Sequence, residues 1–190
     1  MIGSRDEERA RERARQLAVS DDIALVGVSN VEAARRAELV IVTVPWNVQA
    51  EILADIGEQV QGKIVIDTTV PLAPPKVMRV QLPAEGCAAV RAQALLGDNV
   101  RVVAAFHNVA AHRLATRESI DCDVLVFSDD KEARGPVVAL ANDAGLRGLH
   151  GGALANSAAA EALTSVLIFL NKTYSVDGAG IRITGDLQGT

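Results

Sequence analysis

Aromatic side chains are scarce, 3% of the 190 residues, with one Trp, one Tyr and three Phe. So few stacking platforms count against recognition of single-stranded nucleic acid, which lays bases on aromatic faces. Positive charge is also short. Nineteen Lys and Arg stand against 24 Asp and Glu, and a net charge of −5 argues against general nucleic-acid binding. The two cysteines, Cys87 and Cys122, are too few for a disulfide framework and lack metal-ligand spacing, so both are expected to be reduced. The longest apolar run, Ala162 to Leu170, falls short of a membrane span and contains Thr164 and Ser165. No basic-then-apolar signal opens the chain, and the expected location is the cytoplasm, without a nucleic-acid or membrane partner. Zinc motifs, a Gly-x-Ser-x-Gly elbow, a Walker loop and an obvious acid pair are likewise missing, so neither a metal site nor a catalytic nucleophile is expected.

What is present is aliphatic. Apolar residues make up 49% and charged residues 23%, enough for one domain with a sizeable core. Near-continuous β-branched runs occur at Glu38–Val44, Lys63–Asp67, Val100–Phe106 and Asp123–Phe127. Runs without alternation suit strands buried on both faces of a parallel sheet. Helical segments lie between them: Arg5–Val19, Asn30–Arg36, Val48–Ile56, Ala88–Leu96 and Asp130–Asp143, the last closed by Gly145. A final helix, roughly Ala155 to Lys172, is apolar over most of its surface and expected to be buried. This alternation predicts an α/β, Rossmann-like, doubly wound and mostly parallel sheet with a small C-terminal helical segment. Thr68 to Gly86, with four of the six prolines, is the loop-rich stretch.

Polar groups at the carboxyl ends of such strands are candidates for ligand contact. Met1-Ile2-Gly3 reads as the end of a strand, followed by Ser4 and Arg5, with Arg9 one helical turn on. In a dinucleotide-binding sheet an arginine at that place accommodates the 2′-phosphate of NADP. Ser4 to Glu7 also reads as a capping box, a role compatible with holding a phosphate. Val44-Pro45-Trp46 ends the next strand, where packing and ligand contact are both open. Asp67-Thr68-Thr69 is a weaker signal, because these residues also form turns. His107 directly follows the strand ending at Phe106 and could hydrogen-bond a ligand or be satisfied within its loop. Leu154-Ala155-Asn156-Ser157 opens the last helix, with Asn156 or Ser157 as its expected cap.

Taken in order, Gly3-Ser4-Arg5, Val42-Thr43-Val44-Pro45-Trp46, Phe106-His107-Asn108-Val109, Leu154-Ala155-Asn156-Ser157 and Ala179-Gly180-Ile181-Arg182-Ile183-Thr184-Gly185 resemble the NADPH-dependent F420 reductases over nearly the whole chain. The resemblance implies hydride transfer between NADP(H) and coenzyme F420, a deazaflavin. It implies that Ser4, Arg5 and Arg9 bind the 2′-phosphate. Thr43, Val44, Pro45 and Trp46, with Ala50, would wall the nicotinamide half. His107, Val109 and Ala111 would line the meeting place of the two rings, and Leu154 would contact F420. No residue would act as a covalent catalyst, since the cofactors carry the chemistry.

The family opens with a strand and a glycine-rich turn, and this sequence starts after that unit. The expectation is a truncated NADP-binding domain over 1–150, with residues 151–190 contributing to the F420 site. In the usual strand order the first strand is central, so its loss would part the strand at Met1–Gly3 and its neighbour from the remaining sheet. A fragment of a longer reductase is therefore expected. Two other readings stay open, a non-catalytic or degenerate NADP-binding module and another small NADP-dependent reductase. The apolar last helix makes a homodimer an expectation as well.

Overall fold

A computed structural model describes residues 1–17, 24–116 and 119–187. Seven strands and seven α-helices alternate through these residues. The chain runs β1 (Ile2–Ser4), α1 (Glu7–Leu17), β2 (Gly27–Ser29), α2 (Asn30–Arg36), β3 (Leu39–Val42), α3 (Gln49–Ile56), β4 (Ile64–Asp67) and α4 (Ala88–Leu96). It continues through β5 (Arg101–Ala104), the short α5 (Ala111–Leu114), β6 (Asp123–Phe127), α6 (Lys131–Asp143), β7 (Arg147–Gly152) and α7 (Ser157–Tyr174). The expected end of the first helix, at residues 18 and 19, lies outside the described residues.

Hydrogen bonding divides the strands into two sheets. β1 and β2 pair in parallel with each other only, while β3-β4-β5-β6-β7 form the second sheet. The strand after Phe106 reverses: β5 and β6 are antiparallel, and every other pair is parallel. The mostly parallel α/β architecture is as expected, and so is the parting of Met1–Gly3 from the main sheet. Between the sheets lies a cleft of about 150 Å³, bounded by Met1 and Gly3 on one side and Leu39 to Val44 on the other.

β4 is the heart of the main sheet. All four of its residues are buried, which is what the unbroken run Ile64-Val65-Ile66-Asp67 dictates. One face packs Val65, Val102 and Ala104 against Leu53, Ile56, Ala89, Ala92 and Leu96 of α3 and α4. The other packs Ile66, Val103, Val124 and Val126 against Ala133, Val137 and Ala141 of α6. Alanine on the helices lets the layers approach closely, consistent with a core that has little aromatic bulk. The small unit needs the same intimacy. A Cβ on Gly27 would lie 2.2 Å from the Ala10 backbone, so glycine alone lets α1 cross β2. Lys63 fastens the units together, its Nζ donating to the carbonyls of Ala34 and Arg35 at the end of α2.

Several expectations change. Two strands, β2 and β7, arise in segments read as connections, because Gly27, Gly148, Gly151 and Gly152 interrupt their apolar pattern. The cap of α1 is Asp6 rather than Ser4: Asp6 Oδ1 accepts the Glu8 and Arg9 amides, while Ser4 Oγ accepts only from Asp6. At α7, neither Asn156 nor Ser157 caps the helix through its side chain, and Asn156 reaches back to the Gly151 carbonyl. Nor is α7 buried all round, since Val166, Phe169 and Tyr174 are exposed. Leu154–Tyr174 is long and apolar enough to cross a membrane by length and composition. Its inward face is mixed, with Ser157, Glu161 and Ser165 buried beside Ala160 and Leu167.

The C-terminal tail is fastened by Asp123. Its buried carboxylate accepts both Arg147 Nε and Nη2, at 2.8 and 2.6 Å, and the Ile183 amide at 2.6 Å. Burial opposes its ionisation, but these bonds and the charges of Arg147 and Arg182 outweigh it and hold the carboxyl below its usual range.

Candidate functional site

A cavity of about 630 Å³ opens at the carboxyl ends of β3, β4 and β5. Thr43, Val44, Pro45 and Trp46 form one wall, Thr68, Thr69, Val70 and Leu72 another, and Phe106, His107, Val109 and Ala111 a third. Each wall follows a parallel strand; β4 and most of β5 are buried, whereas β3, expected to be buried on both faces, is only partly so, with Ile41 exposed. The residues just past a strand end leave the ladder, so their side chains turn toward the crevice.

Phe106 makes the third wall possible. Its φ of 66° places a bulky residue in the left-handed region, turning the chain sharply after β5. The loop is then tied from beneath by α7. The Thr164 hydroxyl donates to the His107 carbonyl at 2.9 Å, and Asn108 Nδ2 donates to the Ala160 carbonyl at 2.8 Å. The tail closes on it from the other side, where Gly178 lies so near Ala110 that a Cβ would sit 2.9 Å from the alanine methyl.

His107 is 6% exposed, and neither ring nitrogen has a hydrogen-bond partner. Burial without a counter-charge drives its pKa down to about 4, so the imidazole is neutral at physiological pH. It carries one donor and one acceptor unspent inside an otherwise apolar wall. Trp46 is held as a panel by Arg91 of α4, whose guanidinium stacks 4.4 Å from the ring centre.

Behind the second wall lies a buried polar relay. Gln49 Nε2 donates to Asp67 Oδ2 at 2.6 Å, and the Thr69 amide donates to Asp67 Oδ1 at 3.1 Å. The Thr69 hydroxyl is buried without a hydrogen-bond partner among the described residues. Burial pushes the Asp67 carboxyl above its ordinary value, and the Thr69 and Gln49 bonds only moderate this. Further in, Glu161 of α7 accepts the Ala88 and Ala89 amides at the start of α4 and the Ser157 hydroxyl. Burial drives its pKa up to about 7 against the pull of those donors.

A second cleft, about 540 Å³, is lined by Ser4 and Arg5 after β1, Ser29, Asn30 and Val31 after β2, and Glu51, Ile52 and Asp55 of α3. Asn30 and Ile52 also line the cleft between the sheets, and that cleft shares Ile41, Thr43 and Val44 with the large cavity. The three clefts are thus neighbours in series, linked by shared lining residues between Arg5 and His107.

Of the expected site residues, Thr43, Val44, Pro45, Trp46, His107, Val109 and Ala111 line the cavity together, and Ser4 and Arg5 meet at the far end of the series. Arg9 is exposed on α1, one turn beyond. Ala50 is half-buried in α3 and lines none of the three clefts. Leu154 lies outside the cavity lining and is buried in the core under the sheet. The lining adds Ile41, Thr68, Thr69, Val70, Leu72, Phe106, Leu114, Leu140 and Ala144. Asp67-Thr68-Thr69 after a strand was the signal for part of this group. Leu140 and Ala144 come from a helix whose reach no local pattern shows. Among the described residues no group of His, Cys, Asp and Glu is arranged to hold a metal ion.

A family model described as NADP oxidoreductase, coenzyme F420-dependent, matches residues 1–71. The F420-dependent NADP reductase of Methanothermobacter thermautotrophicus is 41% identical over 194 residues, covering 97% of this chain and 83% of that protein. The enzyme of the same name from Methanocaldococcus jannaschii is 37% identical, covering 97% of this chain and 86% of that protein. A crystal structure from Arthrobacter sp. FB24, described as a candidate F420-dependent NADP reductase, superposes with a TM-score of 0.76 at 21% identity. It covers 96% of this chain and 87% of its own, and supports the fold. With relatives this similar over almost its whole length, the chain belongs to the F420-dependent NADP reductase family.

Proposed function

We propose that this protein transfers a hydride between NADP(H) and coenzyme F420, and that the three clefts are one binding track. The observation that carries this reading is the series of neighbouring clefts, with shared lining residues, between Arg5 and His107. A dinucleotide needs a cationic end for its 2′-phosphate and a distant, dry, flat-walled end for its ring, and the track has both. The fit is chemical as well as spatial: His107 presents an unspent donor and acceptor, and Trp46 and Phe106 flank an apolar cavity wide enough for ring systems.

The bound cofactors supply the redox chemistry, one donating and the other accepting the hydride. The protein positions and dries. Ser4 and Arg5, with Arg9 beyond them, take the phosphate. Thr43 to Trp46 keep water from one side of the cavity, and Val109 and Ala111 from the other. His107 contributes hydrogen bonds without charge, being neutral across the physiological range. Residues 151–190 shape the acceptor end, α7 through Thr164 and the tail through Gly178. Leu154 acts on this end from beneath, and Ala50 is the next turn of chain after Trp46. The cytoplasm is the place of action in this reading. The exposed apolar residues of α7 support pairing of two copies.

Loss of the oxidised F420 absorbance on adding NADPH, and much less with NADH, is the expected result. A second reading is dinucleotide binding in the same clefts without turnover. Protein that binds NADPH yet leaves the F420 band intact would favour it. Failure to bind NADPH at all would refute both.

A further inference from the structure

Arg5 has a competitor inside its own cleft. Its Nη1 lies 2.9 Å from Glu51 Oε1, a carboxylate in the first turn of α3. Both residues line the cleft at the phosphate end, beside Ser4, Ser29, Asn30 and Asp55. The guanidinium that would receive a phosphate is thus already engaged, and the space around it holds two carboxylates.

We propose that Glu51 is a specificity-determining residue, which competes with the 2′-phosphate for Arg5 and so limits the preference for the phosphorylated dinucleotide. This rests on the reading of Arg5 as the phosphate ligand. A phosphate dianion must displace the carboxylate from the guanidinium and then lie near it, and like charges repel. A ribose bearing a free 2′-hydroxyl meets no such opposition, because a hydroxyl donates to a carboxylate. Glu51 therefore weakens one ligand and tolerates the other. The pair is solvent-exposed, at 59% and 62% for the two side chains, so the effect is a factor of a few rather than orders of magnitude.

Calorimetric titration of the whole chain with adenosine 2′,5′-bisphosphate and with adenosine 5′-monophosphate tests this. Glu51→Gln keeps the shape and removes the charge. It is expected to bind the bisphosphate about three to five times more tightly than the wild type at low salt, with no gain for the monophosphate. The gain should shrink as salt screens the interaction. Equal changes for both ligands would mark a merely structural role and overturn the proposal, as would an unchanged bisphosphate affinity. Arg5→Met separates the underlying reading. If it keeps the preference for the bisphosphate, Arg5 is not the phosphate ligand and both ideas fall. If it loses that preference while Glu51→Gln changes nothing, only the role of Glu51 falls. A wild type that binds no bisphosphate overturns both.

Discussion

Replacing Glu161 by Gln should change how stability depends on pH, and the buried relay fixes the size of the change. The Glu161 carboxyl titrates near 4.5 when unfolded and at about 7 in the fold. Below 4.5 both states are protonated and the group contributes nothing. As pH rises from 4.5 toward 7 the unfolded chain releases its proton while the folded one retains it, so stability is lost, and the loss is complete above 7. At about 1.36 kcal/mol per pH unit, that interval caps the loss at about 3 kcal/mol. His107 tilts the other way. Its folded value of about 4 lies below the ordinary 6.5, so stability is lost as pH falls through the same window. Between pH 4.5 and 7 these two contributions oppose each other, so the variant is compared with the wild type at each pH rather than read alone. Gln at 161 still accepts one backbone amide of α4 but cannot satisfy both, a penalty of about 1 kcal/mol at every pH. Against that constant offset, the variant should gain about 2.5 kcal/mol on the wild type between pH 5 and pH 8. Urea midpoints of both proteins at those two pH values measure the double difference. Parallel profiles would refute the argument, because they would mean that the carboxyl is ionised in the fold at pH 5.

Two further outcomes follow from the same geometry. His107→Phe removes two buried nitrogens that lack partners, so unfolding at pH 7 should require more denaturant, by about 1–2 kcal/mol, while F420 reduction falls sharply. A less stable variant would show that the imidazole is satisfied within the protein after all. If two copies associate through α7, light scattering should give twice the 20.0 kDa chain mass, and Phe169→Lys should restore the single mass. A monomeric wild type would remove the dimer from the account.

The main sheet was legible because its strands are continuous β-branched runs and its helices are dense in alanine, and both patterns are local. β7 was not, since Arg147-Gly148-Leu149-His150-Gly151-Gly152 has three glycines and becomes a strand only by pairing with β6. Gly151 is required there by the Phe127 ring, a tertiary demand invisible along the chain. The same division holds at the site. Thr43 to Trp46 and His107 could be found because each follows a strand. The contacts of Asp67 with Gln49, and of Glu161 with the α4 amides, join residues far apart in sequence, and no spacing rule reaches them. The reading of Ser4 as a cap failed for a narrower reason. Asp6 is two residues closer to the helix, and a carboxylate competes better than a hydroxyl for first-turn amides.

Among the described residues the two sheets share no backbone ladder, so the interval between the cationic end and the ring end is a matter of side-chain packing and of two clasps, Lys63 on the end of α2 and Arg5 on Glu51. Such a gauge can be reset. A ligand long enough to touch both ends acts as a tie rod, drawing two bodies to a common spacing and spending part of its affinity on holding them there. Either half of that ligand alone leaves the spacing free and bears no such cost. The whole dinucleotide should then bind more weakly than its halves, added together, would lead one to expect, and each body should grow stiffer toward the other when the rod is in place.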